Sequence, residues 1–384
     1  MPEALSEEGV LYGVWLREIG TASGHRFGHA TLDVPGTLNA LALPMIDRLY
    51  PALERWAEDS SIAGVVLDAT GDRAFCAGGD VTALYRAIRE AQSQEPGSIL
   101  PSAAAFFERE YRLDYRIHTF PKPLLCWGNG FVMGGGIGLL AGASHRVATP
   151  TTRMAMPEIT IGLYPDVGGS WILRRMPGRI GLFLALTGAS LNAADARFVG
   201  LADFVLPHEE RGRVLAAIAD GHWSDDAASN SRMLSHLLET WPVEENPMPS
   251  AIREYYDTID EIMGYDALPD IGSRLTTLVS HENKWLSAAG KAFVNGSPTS
   301  AALSWELWQR TLHLSLADVF RLEYNVSLGC CAHEDFAEGV RALLIDKDRQ
   351  PHWHPESLEA VTGAIVADHF RNRFERIHPL ADLS

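Results

Sequence analysis

The hydrophobic rhythm of the chain changes about halfway along. In the first half, short apolar runs alternate with stretches of helical spacing. His29–Asp33 reads as a short strand and Ala63–Leu67 as a buried one. Leu38–Trp56 carries apolar residues at helical spacing with Asn39 near its start, which predicts a helix. Gly71–Asp80 reads as a loop, with a helix from Val81, a break over Gln94–Pro101 and a second helix over Ala103–Ile117. Leu124–Gly128 is a further buried strand, Met133–Gly136 a glycine turn, Ile137–Ala143 a helix and His145–Thr149 another strand. Repeated strand–helix order predicts an α/β fold. Beyond about Pro207 the strand signal fades. Helical segments follow at Arg211–Ala219, Ala251–Met263 and Leu316–Cys331, with a proline-rich connection over Pro242–Pro249. The expected organisation is an α/β core over 1–207 and a mainly helical region over 208–384.

Leu124–Ala143 has no charged residue over a membrane-spanning length. It contains seven glycines, three of them consecutive, and Pro121 and Pro123 precede it. A buried strand, a glycine loop and a buried helix fit this composition, so no membrane partner is expected. The net charge of −17 disfavours nucleic acid, which needs clustered Lys and Arg. A phosphorylated small ligand needs only a local patch and stays compatible. Cys76, Cys126, Cys330 and Cys331 show neither metal-site spacing nor a disulfide framework, which predicts a reducing, cytoplasmic location. The acidic start, residues 1–13, lacks the basic region and apolar run of a signal peptide.

Four segments carry candidate chemistry. Phe75-Cys76-Ala77-Gly78-Gly79-Asp80 follows the strand Val65-Val66-Leu67, and its small residues expose backbone N–H groups suited to an anion or oxyanion. An ordinary tight turn, with Asp80 capping the next helix, explains the same residues. Met133-Gly134-Gly135-Gly136-Ile137-Gly138 precedes a helix, where glycines allow close backbone approach. Close packing of a helix on a sheet is the alternative. Met156-Pro157-Glu158 and Tyr164-Pro165-Asp166-Val167-Gly168-Gly169 each place an acid after a proline, which restricts the backbone leading into it. Without chemistry, Asp166 is a helix N-cap and Glu158 an exposed carboxylate. No G-x-S-x-G elbow and no His-Glu-x-x-His motif occurs, which argues against a serine hydrolase and a zincin.

Taken in order, these segments resemble the crotonase, or enoyl-CoA hydratase/isomerase, superfamily. The resemblance is carried by LNAL at 38–41, FCAGGD at 75–80, KP at 122–123, GGGIG at 134–138, MPE at 156–158, LTG at 186–188, ADA at 194–196 and GLADFV at 200–205. It implies a coiled ββα spiral core and an acyl-CoA substrate. It also implies an oxyanion hole from the Gly79 and Gly135 amides, and no cofactor beyond the CoA of the substrate. Hydratases of the family place two glutamates across the attacking water. One matches Glu158; the other falls at Gly138, so half of that pair is missing.

FFEREY at 106–111, PDVGG at 165–169, SPTS at 297–300 and EGVRALLIDKD at 338–348 resemble the 3-hydroxyisobutyryl-CoA hydrolase branch. That branch implies thioester hydrolysis with Glu158 as nucleophile or general base. Asp166 would hold the substrate hydroxyl, position water or shuttle a proton, and Glu110 would be a substrate contact. Otherwise Glu110 is a solvated charge on its helix. The rivals are a hydratase or isomerase on the same fold and a non-catalytic acyl-CoA-binding protein. Many crotonases are homo-oligomers, trimers or hexamers; the long C-terminal region offers an alternative cover for the same surface within one chain.

Overall fold

The computed structural model describes residues 13–95, 98–99, 101–241, 248–374 and 377–384. The reading of the N-terminal twelve residues, part of the break at 94–101 and most of the proline-rich connection lie outside the described residues. The chain forms two compact units. One is built from the stretch up to Gly79 with Leu113–Met154 and Leu191–Ser250, the other from Asp80–Arg112, Ala155–Ser190 and Ala251–Ser384.

Ten strands occur among the described residues: β1 Val14–Gly20, β2 Arg26–Leu32, β3 Ile62–Ala69, β4 Ala74–Cys76, β5 Leu124–Gly128, β6 Phe131–Met133, β7 His145–Ala148, β8 Arg153–Ala155, β9 Leu191–Asn192 and β10 Phe204–Val205. They make a six-stranded sheet in the order β1-β2-β3-β5-β7-β10 and a four-stranded sheet in the order β4-β6-β8-β9. β1 pairs antiparallel with β2, and β2, β3, β5, β7 and β10 run parallel. The chain therefore alternates sheets: β3, β5 and β7 enter the large one, and β4, β6 and β8, each next in sequence, enter the small one. This is the ββα spiral expected from the sequence, and every described element from His208 onward is helical.

Sheet and helices share one core in the first unit. Phe27, Val66, Leu125, Trp127, Val147 and Leu206 pack against Val214 and Ile218 of the helix Arg211–Ala219 and Leu234 and Leu238 of the helix Ala227–Glu239. Trp223 closes the cluster edge-on to Phe27, ring centroids 4.6 Å apart. Each fully buried large side chain contributes about 1.5–3 kcal/mol relative to exposure.

Several boundaries differ from the sequence reading for identifiable reasons. β1 was not foreseen; its alternation of buried and exposed residues fits the edge of the large sheet. The helix expected from Leu38 starts at Leu43, giving α1 Leu43–Glu58, because Leu38 and Asn39 hold left-handed backbone at φ 55° and 54°. Asn39 is a loop clamp: its Oδ1 accepts from the Val34 amide at 2.8 Å, and its Nδ2 donates to the Thr70 and Ala74 carbonyls. The Gly71–Asp80 loop contains β4. The helices α2 Val81–Gln94, α3 Pro101–His118 and α4 Gly135–Ala141 lie close to their expected positions. The uncharged stretch becomes β5, β6 and α4, and no described helix is long and apolar enough to cross a membrane.

α4 packs closely on β4. A Cβ on Gly136 would lie 2.4 Å from the Cys76 carbonyl oxygen, which is backbone and cannot swing away. Gly136→Ala is therefore expected to cost about 1–3 kcal/mol, read as a lower urea midpoint. An unchanged midpoint would show that α4 can move off the strand freely.

Candidate active site

The two glycine segments are neighbours in the first unit. β4 and β6 pair in parallel with Cys76 opposite Val132, so the turns that leave them emerge side by side. Gly78 has φ +106°, a conformation reserved for glycine, and a Cβ there would stand 3.3 Å from the Met133 carbonyl and 3.9 Å from the Gly135 nitrogen. Leu41 fixes the first turn: its amide donates to the Gly78 carbonyl at 2.8 Å, and it bridges Gly79. Gly134, at φ 46°, starts α4, with Gly135 as its first residue. The Gly79 and Gly135 turns are thus brought together. Gly138, on α4, is buried and supplies no carboxylate.

The three acids are together in the second unit. Glu110 and Tyr111 lie on the part of α3 that belongs to it. Glu158 begins a helical turn, Glu158–Ile161, led by Pro157. Asp166 sits in the loop before α5, Gly169–Arg174. Glu110 is 2% exposed, and Glu158 and Asp166 are each 5% exposed, so neither glutamate is the solvated charge that the alternative readings required. Glu110 Oε1 and Glu158 Oε2 have no hydrogen-bond partner among the described residues. Buried polar atoms left this way are costly, and at a cleft they mark function. Asp166 is not a helix cap: Gly168 is the N-cap of α5, and Asp166 Oδ2 accepts from the Tyr111 hydroxyl at 2.7 Å. Asp80 does cap α2, accepting from the Ala83 amide at 3.2 Å.

Their titration follows from this burial. Desolvation pushes the Glu158 carboxyl well above the ordinary glutamate range, and the Asp166 charge adds to it. Glu110 is raised well above that range by burial first, then by Asp166 and Glu158. Asp166 is raised to about 6 by burial, against the lowering effect of the Tyr111 hydrogen bond. Burial thus raises all three carboxyls above their ordinary ranges, and at Asp166 the Tyr111 hydrogen bond acts against that rise.

Residues that the sequence did not single out build the setting. Glu323, fully buried on the helix Leu316–Ala332, accepts from the Gly168 amide at 2.8 Å and the Ser170 amide at 2.9 Å. Ser327, one turn on, shares hydrogen bonds with the hydroxyls of Tyr111 at 2.7 Å and Tyr164 at 2.8 Å. The signal was present in the spacing: Phe320, Glu323 and Ser327 lie at i, i+3 and i+7, an acid and a hydroxyl on an otherwise apolar face. The C-terminal motifs support the Glu158 turn. The Ser297 amide donates to the Ile159 carbonyl at 2.9 Å, and the Ser297 hydroxyl donates to Asp335 at 2.6 Å. A Cβ on Gly339 would collide with Ile161 backbone, and one on Gly162 with Asp335 backbone.

Residues 27–370 match a family model described as Enoyl-CoA hydratase/isomerase. The chain is 36% identical over 349 residues to a mitochondrial 3-hydroxyisobutyryl-CoA hydrolase of Danio rerio, covering 91% of this chain and 88% of that one. Among solved structures, it superposes on a carnitinyl-CoA dehydratase from Mycobacterium thermoresistibile with a TM-score of 0.80 at 34% identity, covering 94% of this chain and 97% of that one. An enoyl-CoA hydratase from Rhodobacter sphaeroides 2.4.1 gives 0.78 at 35% identity, covering 93% and 97%. The mitochondrial designation of the Danio rerio relative overturns the cytoplasmic expectation. Cys76, Cys126, Cys330 and Cys331 are buried and form no disulfide, which fits a mitochondrial interior as well as the cytoplasm.

The Asp166 shift has a signed consequence. Its folded pKa of about 6 stands above the ordinary 3.8, so the folded chain holds this proton more tightly than the unfolded chain does. The contribution of Asp166 to stability therefore falls as pH rises from 3.8 to about 6. Asp166→Asn, which keeps an acceptor for Tyr111, should be more stable than the parent by about 1–3 kcal/mol at pH 7.5. The gain should shrink toward pH 4. Thermal melts at the two pH values check this, and a pH-independent difference would contradict it.

Proposed function

The chain belongs to the enoyl-CoA hydratase/isomerase family, and from that premise we propose that it hydrolyses a short branched hydroxyacyl-CoA thioester, 3-hydroxyisobutyryl-CoA, to 3-hydroxyisobutyrate and CoA. This is a step of valine degradation. The observation that carries the reading is the buried acid trio of the second unit. Glu158 is buried without a partner for one oxygen, its carboxyl is raised well above the ordinary glutamate range by burial and the Asp166 charge, and position 138 lacks the second hydratase glutamate.

The roles follow from the chemistry. The Gly79 and Gly135 amides receive the thioester carbonyl oxygen and stabilise its negative charge, a contribution of about 10²–10³ in rate for such donors. The reacting form of Glu158 is its carboxylate, and Asp166 takes and returns the Glu158 proton, directly or through water. That carboxylate either attacks the carbonyl carbon, expelling the CoA thiolate and leaving a mixed anhydride for water to cleave, or takes a proton from the attacking water. In both routes the C–S bond breaks, water supplies the acid oxygen, and the thiolate leaves to be protonated. Glu110 contacts the acyl group. No cofactor enters beyond the CoA of the substrate.

A second reading, hydration of an enoyl-CoA, is favoured by the names of the two solved structures alone. Hydration leaves the thioester intact, so release of free thiol separates the two. With 3-hydroxyisobutyryl-CoA, the protein is expected to release CoA, and Glu158→Gln to lower kcat/KM by at least about 10²-fold. Turnover near the parent rate in that variant removes Glu158 from the mechanism. Loss of enoyl absorbance from an unsaturated ester, without thiol release, replaces hydrolysis with hydration.

A further inference from the structure

Asp166 stands on a backbone that is unfavourable by itself. Val167 holds left-handed backbone at φ 54° and Gly168 follows at φ 79°. A β-branched residue in that region costs about 1–2 kcal/mol, so the turn persists only if its surroundings enforce it. The helix Leu316–Ala332 does so from several atoms. The Glu323 carboxylate spans the turn, Oε2 accepting from Gly168 and Oε1 from Ser170. The Glu323 carbonyl accepts from the Tyr164 hydroxyl at 2.6 Å. Ser327 meets Tyr111, and Tyr111 donates to the Asp166 carboxylate. One helix thus holds the main chain after Asp166 through Glu323 and its side chain through Ser327 and Tyr111.

We propose that Glu323 is a positioning residue for the reaction: its carboxylate, by taking both the Gly168 and Ser170 amides, sets where the Asp166 carboxylate stands. A carboxylate suits this place for geometric reasons. Two carboxyl oxygens at fixed separation meet two main-chain donors, and each keeps a lone pair to accept with whether or not the group carries its proton, whereas a carboxamide offers one acceptor and turns an N–H₂ toward the other amide. The shorter aspartate cannot be expected to span both. Glu323 is fully buried, and burial followed by the Asp166 charge raises it to about 8, so the position is costly for an acid and is offset locally by the two amides. The proposal rests on the hydrolase reading for the role of Asp166, but the tether itself is measurable without turnover.

The test is a double-mutant cycle between Glu323→Gln and Asp166→Asn, with kcat and KM for 3-hydroxyisobutyryl-CoA and amide hydrogen exchange over 166–170. Glu323→Gln alone should lower kcat at least tenfold, move KM less than threefold and speed exchange at the turn at least tenfold. In the Asp166→Asn background the same change should cost less than threefold in kcat, because the group being positioned is already gone. Equal losses in both backgrounds, or unchanged exchange at the turn, overturn the proposal. Should Glu323→Gln not fold, Glu323→Asp goes through the same cycle with the same criteria. A parent protein that releases no CoA while the turn exchanges as expected defeats the hydrolase reading and, with it, the catalytic meaning of the tether, leaving the tether as structure only.

Discussion

Burial of three carboxyl groups in one another's field is the constraint that governs this molecule. Taking an ionised carboxylate out of water is costly, and a neighbouring carboxylate makes the second charge costlier still. The charged forms of Glu110, Glu158 and Asp166 are therefore all disfavoured. The Tyr111 hydroxyl acts against this at Asp166, to which it donates. The arrangement raises the proton affinity of Glu158 in the field of a second acid, Asp166. A thioester hydrolase has a use for that state; a structural cluster would be more stable with apolar side chains in the same space.

The cost is borne by the helical remainder of the chain. Ser297, Asp335 and Gly339 brace the turn that carries Glu158, and Glu323 with Ser327 braces the turn that carries Asp166. The C-terminal motifs SPTS and EGVRALLIDKD thereby acquire a physical role, which is to hold the turn that carries Glu158. The glycine turns of the first unit are held differently, by two parallel strands that end side by side and by close helix-on-strand packing that excludes any Cβ.

Much of this was legible in the sequence. The strand–helix alternation and the loss of strand signal near Pro207 indicated the architecture, and the four motif segments were identified by residue. The rest depended on context that periodicity does not carry. Pro44 and left-handed backbone at Leu38 and Asn39 delayed α1, and Asn39 became a clamp instead of a cap because its side chain found carbonyls more than thirty residues away. Burial of Glu110 and Glu158 was invisible because a glutamate after a proline, or on an amphipathic helix, is ordinarily solvated. Glu323 was overlooked since its partners are two amides distant in sequence, and amides leave no trace in composition.

The central claim is that burial raises the Glu158 carboxyl well above the ordinary glutamate range. Infrared titration of side-chain carboxyl groups, taken as a difference between the parent and Glu158→Gln, tests it most directly. The account predicts a carboxyl signal that persists to higher pH than that of an exposed glutamate and that the substitution removes. A Glu158 that is already fully ionised at pH 6, titrating like an exposed glutamate, would contradict it.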